Sequence, residues 1–471
     1  MRKTKIIATL GPATDCEGVL QSIIEAGAEI VRFNMSHGDH AQHAARMAEV
    51  KRVREELGLP IATILDTRGP EIRTGLFAQP VILEDGQDFL LTTYERNGDE
   101  TGCSISYAGL PGDVEVGQRI LIDDGLVEMT VREFSDDEIV CTVVHGGKVS
   151  SNKGINCPGM HFSMPFLSEH DKADLLFGRS QGFDYIAASF VRSAGDIALM
   201  RAELERIGWN NVRIIAKIEN DEGANHMEEI IAAADGVMVA RGDMGVEIPF
   251  EEIPIIQKKI IKRTVLSGKQ VITATQMLES MMNHSRPTRA EISDVANAIY
   301  DGTSVAMLSG ETAAGKFPVE AVRTMVAIVE RTENDIDYRG RYFKNPLGEF
   351  NNITTAISHA TVMTAHDLGS SAIVTVTESG WTARMVSRFR PYCPIIACTP
   401  NRKVWRQMNM SWGVVPVMIE EKYSSDELLE SAVKAALSSG IVQRGDSVVV
   451  TAGVPLGASG NTNMIRVVEV D

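Results

Sequence analysis

At 471 residues the chain exceeds one ordinary domain, and two or three domains with ample interior for a large core are predicted. It is 44% hydrophobic and 23% charged, its apolar runs fall short of the roughly 18 residues that span a bilayer, and the opening MRKTKIIATLGPATD shows neither a long apolar segment nor a small-residue cleavage site; a cytoplasmic protein with no membrane association is expected. Lys and Arg number 46 against 63 Asp and Glu, a net charge of −17, which argues against nucleic acid as a partner and requires basic residues to be concentrated locally if the ligands are anions.

Short apolar, β-branched runs recur, each followed by a segment of helical period. KIIATL, AEIVRFN and IATILDT come first; FDYIAASFV, VRIIAKIE, GVMVARGD, QVITATQM and SVAMLSGE follow an interruption. Strands alternating with helices predict a parallel sheet covered on both faces, and eight such units over residues 1–70 and 155–335 match the number and the span, about 250 residues, at which the sheet closes into a (βα)8 TIM barrel. From Gly75 to about Gly154 the texture changes: PVILEDGQDFLLTTY and RILIDDGLVEMTVREF alternate, Asp-Gly pairs mark turns, and no helical period appears. A small inserted β-barrel domain, residues 71–154, is predicted after the third strand, over the face that carries active sites in such barrels, where it can act as a lid. NDIDYRGRYFKNPLGEFNN reads as a linker, and AIVTVTESG, CPIIACTP, VVPVMIE and DSVVVTAG then predict a C-terminal α/β domain over 345–471. The six cysteines form no C-x-x-C pair and read as reduced thiols.

Polar residues gather where the predicted barrel strands end. Arg32, Asn34 and Ser36 follow the second strand; Asp66, Thr67 and Arg73 the third; Lys217 and Glu219 the fifth; Arg241 and Asp243 the sixth; Thr275 and Gln276 the seventh; Ser309 and Glu311 the eighth. They are expected to converge on one cleft. Glu219 and Asp243, from adjacent strands, suit a hard divalent cation that keeps positions open for a phosphate. Paired carboxylates also serve as general acid and base, or close a barrel mouth as ion pairs; Lys217, Arg73, Arg32 and Arg241 around them point to a phosphoryl or carboxylate ligand. Asn34, Ser36, Asp66 and Thr67 carry one formal negative charge among neutral oxygens, which suits a monovalent cation or ordinary hydrogen bonding between adjacent strands; spacing alone favours the latter. GDMGVEIP opens a helix after the sixth strand, whose first N–H groups either seat an anion or form a capped glycine turn.

Two motifs mislead. His37, His40 and His43 recur at three-residue intervals, but no further ligands accompany them and a solvated helix start is the better reading. GETAAGKF, from Gly310, resembles a phosphate-binding loop until Phe317 replaces the hydroxyl residue and Pro318 follows; it reads as the end of the eighth strand.

RFNMSHG, DTRGPEIRTG, NKGINCPG, IIAKIENDEG, VARGDMGVEIP, ITATQMLESM and RPTRAEISDVANAIYDGTSVAMLSGETAAGKFPVEAV, in this order over nearly the whole chain, resemble the pyruvate kinases. The resemblance implies phosphoryl transfer from phosphoenolpyruvate to ADP, allosteric control and a homotetramer. It implies Mg2+ or Mn2+ on Glu219 and Asp243, and K+ on Asn34, Ser36, Asp66 and Thr67, reversing the preference from spacing. Lys217 would stabilise the transferring phosphoryl and the developing enolate; Arg32 and Arg73 would hold the substrate phosphate; His37 and Lys153, with Arg32, Asn34 and Arg73, would serve the nucleotide. Ala240, Arg241, Gly242, Asp243 and Thr275 would place phosphoenolpyruvate, and Thr275, Ser309 and Glu311 would serve the proton path. Arg68 stands where the family commonly has Lys, and Glu71 matches members that require K+. Thr377, Ser379, Gly380 and Thr382 resemble an effector-phosphate loop, but Glu378 inside it would repel fructose 1,6-bisphosphate, so a sugar monophosphate or AMP is expected; helix capping is the plainer reading of the same residues.

Overall fold

The computed structural model describes residues 1–160, 163–344, 352–420, 424–454 and 460–471. Eight strands form a closed barrel: β1 (Lys5–Thr9), β2 (Ile30–Asn34), β3 (Ala62–Asp66), β4 (Tyr185–Ala188), β5 (Arg213–Ile218), β6 (Gly236–Ala240), β7 (Gln270–Ala274) and β8 (Val305–Leu308). Each runs parallel to its sequence neighbours, and β8 pairs with β1 to complete the ring. Helices cover the outside while Ile7, Ile64, Tyr185, Ile215, Met238 and Ile272 fill the interior, so both strand faces are buried and the sequence shows continuous apolar runs instead of alternation. Register then fixes the rim: Asn34 stands opposite Asp66 across β2 and β3, and Asp66 opposite Ala187 across β3 and β4.

Between β3 and β4 lies a seven-stranded sheet in the order 72–73, 154–156, 119–122, 127–134, 138–145, 88–92 and 102–104. Its two outer strands meet through a Thr74–Ile105 bridge, with Ser106 N–H donating to Arg73 O at 2.9 Å, so the sheet closes around Phe89, Leu91, Ile120, Met129 and Cys141. One helical turn, Leu110–Asp113, interrupts it where no helical period was expected; four residues are too few to establish one.

The C-terminal sheet comprises β9 (Ala372–Val376), β10 (Ile395–Thr399), β11 (Val414–Met418), β12 (Ser447–Ala452) and β13 (Met464–Glu469), ordered β11-β10-β9-β12-β13, with only β13 antiparallel to its neighbour. The expected linker is in part a correction. Tyr338–Lys344 is helical, because Tyr338 and Tyr342 are buried against neighbouring elements and Lys3 Nζ lies 4.5 Å from the Tyr338 ring centroid; this packing overrides the polar composition. Residues 345–351 of that stretch lie outside the described residues. All six cysteines are free, and five are buried.

The C-terminal domain seals the end of the barrel opposite the site. Met410 joins the barrel's interior cluster, and Asn409 Nδ2 donates to the carbonyls of Glu29 and Pro60, which precede β2 and β3. Asp184, fully buried just before β4, accepts from Arg406 Nε at 3.0 and 3.1 Å and from Thr63 N–H at 3.1 Å. Truncating one partner of a buried pair strands the other charge, so Arg406→Ala is expected to destabilise the protein by about 3 kcal/mol, read as a lowered denaturation midpoint.

Candidate active site

Lys217, next to last in β5, projects into the barrel mouth. Its ammonium donates to Ser189 Oγ at 2.7 Å and lies 2.8 Å from Glu219 Oε1 and 3.2 Å from Asp66 Oδ1. Burial alone would weaken the ammonium, but the carboxylates of Asp66, Glu219 and Asp243 outweigh it and hold Lys217 above the ordinary lysine range, making it a fixed cation. Burial likewise opposes ionisation of Asp66, yet Arg32 and Lys217 hold its carboxyl below the usual range; Arg32 Nε donates to Asp66 Oδ2 at 2.5 Å.

Glu219 stands in the opposite condition. It is completely inaccessible, and burial pushes its carboxyl upward; the one ammonium nearby is shared among three carboxylates, and Asp243 adds repulsion. Phe190 N–H donates to Oε2 at 2.6 Å, while Oε1 faces the Lys217 ammonium at 2.8 Å and meets no other donor. A buried carboxylate oxygen with an open lone pair, beside a second carboxylate at the start of the helix Arg241–Glu247, fits a hard divalent cation. Among the described residues no group of three or more His, Cys, Asp or Glu is placed to hold a metal, so water and substrate oxygens would complete the coordination.

Asn34, Ser36, Asp66 and Thr67 lie around the adjoining rim. Asn34 Oδ1 accepts from Ser36 N–H at 3.1 Å, and the Thr67 hydroxyl accepts from Ser189 N–H at 3.2 Å. The first bond is local to the chain after β2 and only the second joins neighbouring strand ends; the donor chemistry, all oxygen with one formal charge, fits a monovalent cation.

A cleft of about 490 Å³ separates the barrel mouth from the inserted domain, lined by His37, Arg73, Lys153, Phe190 and Asp243 among others. Glu71 grips Arg73 through Nε at 2.8 Å and Nη2 at 2.5 Å, and Lys153 Nζ donates to Asp123 Oδ1 at 2.9 Å. On the far side of the mouth, Thr275 and Gln276 occupy the left-handed region at φ of 64° and 52°, uncommon for a β-branched residue. The Thr275 hydroxyl accepts from Gly242 N–H at 2.7 Å. Glu311 accepts from Leu278 N–H at 3.0 Å and Ser309 N–H at 2.7 Å, burial raises its carboxyl pKa, and the Ser309 hydroxyl is buried without a partner.

One expected contributor does not ring the carboxylate pair. Arg241 turns away from Asp243: its guanidinium donates to Asp294 at 2.6 Å and to the carbonyls of Ala274 and Thr275 at 3.2 and 2.6 Å, so the side chain braces the β7 loop. The three histidines do not converge; His40 pairs with Asp174 at 2.6 Å, and His43 Nε2 lies 2.9 Å from His37 O. Pro318 occupies the first turn of the helix Pro318–Glu333, as expected for a strand end and not for a phosphate loop. In the C-terminal domain Gly380, at φ 75°, precedes the helix Trp381–Ser387 with no side-chain cap, so capping does not account for the hydroxyls. The Thr382 hydroxyl pairs with that of Thr462 at 2.8 Å, Ser379 O accepts from Arg213 at 2.7 Å, the Thr377 N–H donates to Cys398 O, and Glu378 is exposed.

Sequence reasoning missed Ser189 and Phe190, which follow β4 and touch Lys217 and Glu219, and Asp294, which holds Arg241. The only signal was the Ser-Phe before the final Val of the run FDYIAASFV, uncharged and so unremarked.

A closed (βα)8 barrel with a lid inserted after β3, and a buried lysine among carboxylates at its mouth, defines a phosphotransferase of the barrel class. Residues 1–322 match the model of the pyruvate kinase barrel domain, and 355–468 that of the pyruvate kinase alpha/beta domain. The chain is 49% identical over 473 residues to a pyruvate kinase of Clostridium acetobutylicum, covering both in full, and 48% identical over 469 residues to one of Geobacillus stearothermophilus, covering 99% of this chain and 80% of the relative. A crystal structure of a pyruvate kinase from Cryptosporidium parvum superposes with a TM-score of 0.93 at 36% identity, over 100% of this chain and 96% of that one. The chain belongs to the pyruvate kinase family.

Proposed function

We propose that the pyruvate kinase reaction of this chain, phosphoryl transfer from phosphoenolpyruvate to ADP giving pyruvate and ATP, is centred on Lys217 between Asp66 and Glu219. The observation that carries this reading is the fixed ammonium beside a carboxylate oxygen left open in the interior. Lys217 faces the charge that develops on the phosphoryl and enolate oxygens, where a preorganised cation acts without reorganisation. Arg32 and Arg73 hold the phosphate, each already oriented by a carboxylate. His37 and Lys153 receive the nucleotide from the cleft walls. Ala240, the Gly242 backbone, Asp243 and Thr275 position phosphoenolpyruvate, with Arg241 acting as the brace of that loop. Thr275, Ser309 and Glu311 form the proton path, Ser309 offering a free hydroxyl and Glu311 a carboxyl of raised pKa. Glu219 and Asp243 would hold Mg2+ or Mn2+, and Asn34, Ser36, Asp66 and Thr67 would hold K+; bound there, these cations neutralise the charge of two polyanions that must meet.

A coupled assay tests this reading: phosphoenolpyruvate, ADP and Mg2+ with purified protein, following pyruvate through lactate dehydrogenase. Pyruvate formation is expected, and faster with K+ than with tetramethylammonium, in keeping with Glu71. No pyruvate under any cation condition rejects the reading; activity indifferent to K+ overturns the role of Glu71 alone.

Family membership also supports a cytoplasmic homotetramer, and among the described residues no helix is long and apolar enough to cross a membrane. The loop of Thr377, Ser379, Gly380 and Thr382 suits a monophosphate, and Glu378 disfavours a second phosphate. AMP or a sugar monophosphate is expected to lower the phosphoenolpyruvate concentration at half-saturation, and fructose 1,6-bisphosphate to leave it unchanged, in the same assay.

A further inference from the structure

The end of β4 is the part of the barrel mouth to which no role has been given, yet Ser189 is 1% exposed and its hydroxyl meets three partners. Lys217 Nζ donates to Ser189 Oγ at 2.7 Å; the hydroxyl lies 2.7 Å from Thr67 O and 3.2 Å from Asp66 Oδ1. A serine hydroxyl has one proton to give. The shorter contact assigns that proton to the Thr67 carbonyl, which leaves the oxygen lone pairs facing the ammonium. An ammonium on a four-carbon stem rotates freely unless its protons are claimed, and here Asp66, Glu219 and Ser189 lie around it. Ser189 differs from the other two in being neutral: it directs one N–H without lowering the positive charge available to substrate.

We infer that Ser189 is a positioning residue for phosphoryl transfer, fixing the direction of the Lys217 ammonium through a hydroxyl anchored on the Thr67 carbonyl. The inference rests on Lys217 being the group that stabilises the transferring phosphoryl. Its backbone neighbour Phe190 does the same for Glu219, with φ of 55° turning its N–H onto the carboxylate. The two residues that follow β4 thereby align both members of the charged pair.

The test is a double-mutant cycle on the full-length protein at saturating Mg2+ and K+. Ser189→Ala is expected to lower kcat by about 10- to 100-fold, the range of a lost charge-assisted hydrogen bond, with KM for both substrates within about twofold and a cooperative thermal transition retained. In a Lys217→Met background the same change is expected to cost nothing further. Ser189→Cys, which keeps the volume but offers a poor acceptor, is expected to fall on the Ala side and serves if Ala does not fold. Unchanged kcat in both Ser189 variants while Lys217→Met is slow overturns the inference alone, as does an equal loss in both backgrounds. A fast Lys217→Met enzyme instead overturns the reading on which it rests.

Discussion

Replacing Lys217 by methionine is expected to lower kcat by at least ~10²-fold, the cost of losing one preorganised electrostatic group, with far smaller changes in KM. The asymmetry follows from where the ammonium sits. In the free protein it is already engaged by Asp66 and Glu219, so it has little unsatisfied attraction to offer a ground-state ligand. Substrate phosphate is gathered instead by Arg32 and Arg73, which the substitution leaves in place. Charge that appears only during transfer is what Lys217 meets, and an interaction made only in the transition state shows in kcat. Methionine keeps the length of the stem and its packing in the mouth, so the loss reads as charge and not as a cavity. Steady-state kinetics with each substrate varied in turn decide the matter: a rise in KM with kcat preserved would make Lys217 a binding residue and move the catalytic burden elsewhere. Arginine is not expected to rescue, because its planar fork cannot occupy the space between Ser189, Asp66 and Glu219 that a compact ammonium fills.

Much of this arrangement was legible from the residues. Eight apolar runs gave eight strands because a parallel barrel strand is buried on both faces, and polar residues just past those runs had nowhere to go but the rim. Direction was not legible. Arg241 follows β6 and Lys217 stands next to last in β5, and Asp294, more than fifty residues later in the chain, with the carbonyls of Ala274 and Thr275, turns Arg241 outward. Ser189 and Phe190 escaped because their contributions are a lone pair and a backbone N–H, which composition does not distinguish from an ordinary loop. The helix Tyr338–Lys344 was hidden for a related reason: two tyrosines in a polar stretch carry no period, and their burial depends on distant partners, Trp412 and Lys3 for Tyr338 and His366 and Phe389 for Tyr342.

Glu219→Gln is expected to lower turnover by ~10³-fold, several kcal/mol of transition-state stabilisation, and to abolish the stabilising effect of divalent ions on the fold. The second effect separates ion binding from general damage. Any ligand that binds only the native state raises the melting temperature by mass action, so Mg2+ or Mn2+ is expected to raise that of the unaltered protein and to leave the variant unmoved. Without divalent ions the order of stability depends on pH, and its sign is fixed by the direction of the Glu219 shift. Burial raises the carboxyl above its unfolded value of about 4.3, so its favourable contribution is complete below that value and is lost as pH rises through the folded one. The metal-free protein therefore loses stability with rising pH over this range by more than the Gln variant, whose amide does not ionise. Phe190 N–H retains an acceptor in the amide oxygen, which keeps the β4 end in place and makes the comparison one of charge. Asp243→Asn is expected to act in the same direction but more weakly on metal-free stability, since Asp243 is only half-buried at the lip of the cleft. Full turnover in Glu219→Gln, or an undiminished melting shift with Mn2+, would show that the open oxygen inside the barrel does not serve a metal, and the role given to Lys217 would have to stand without an ion beside it.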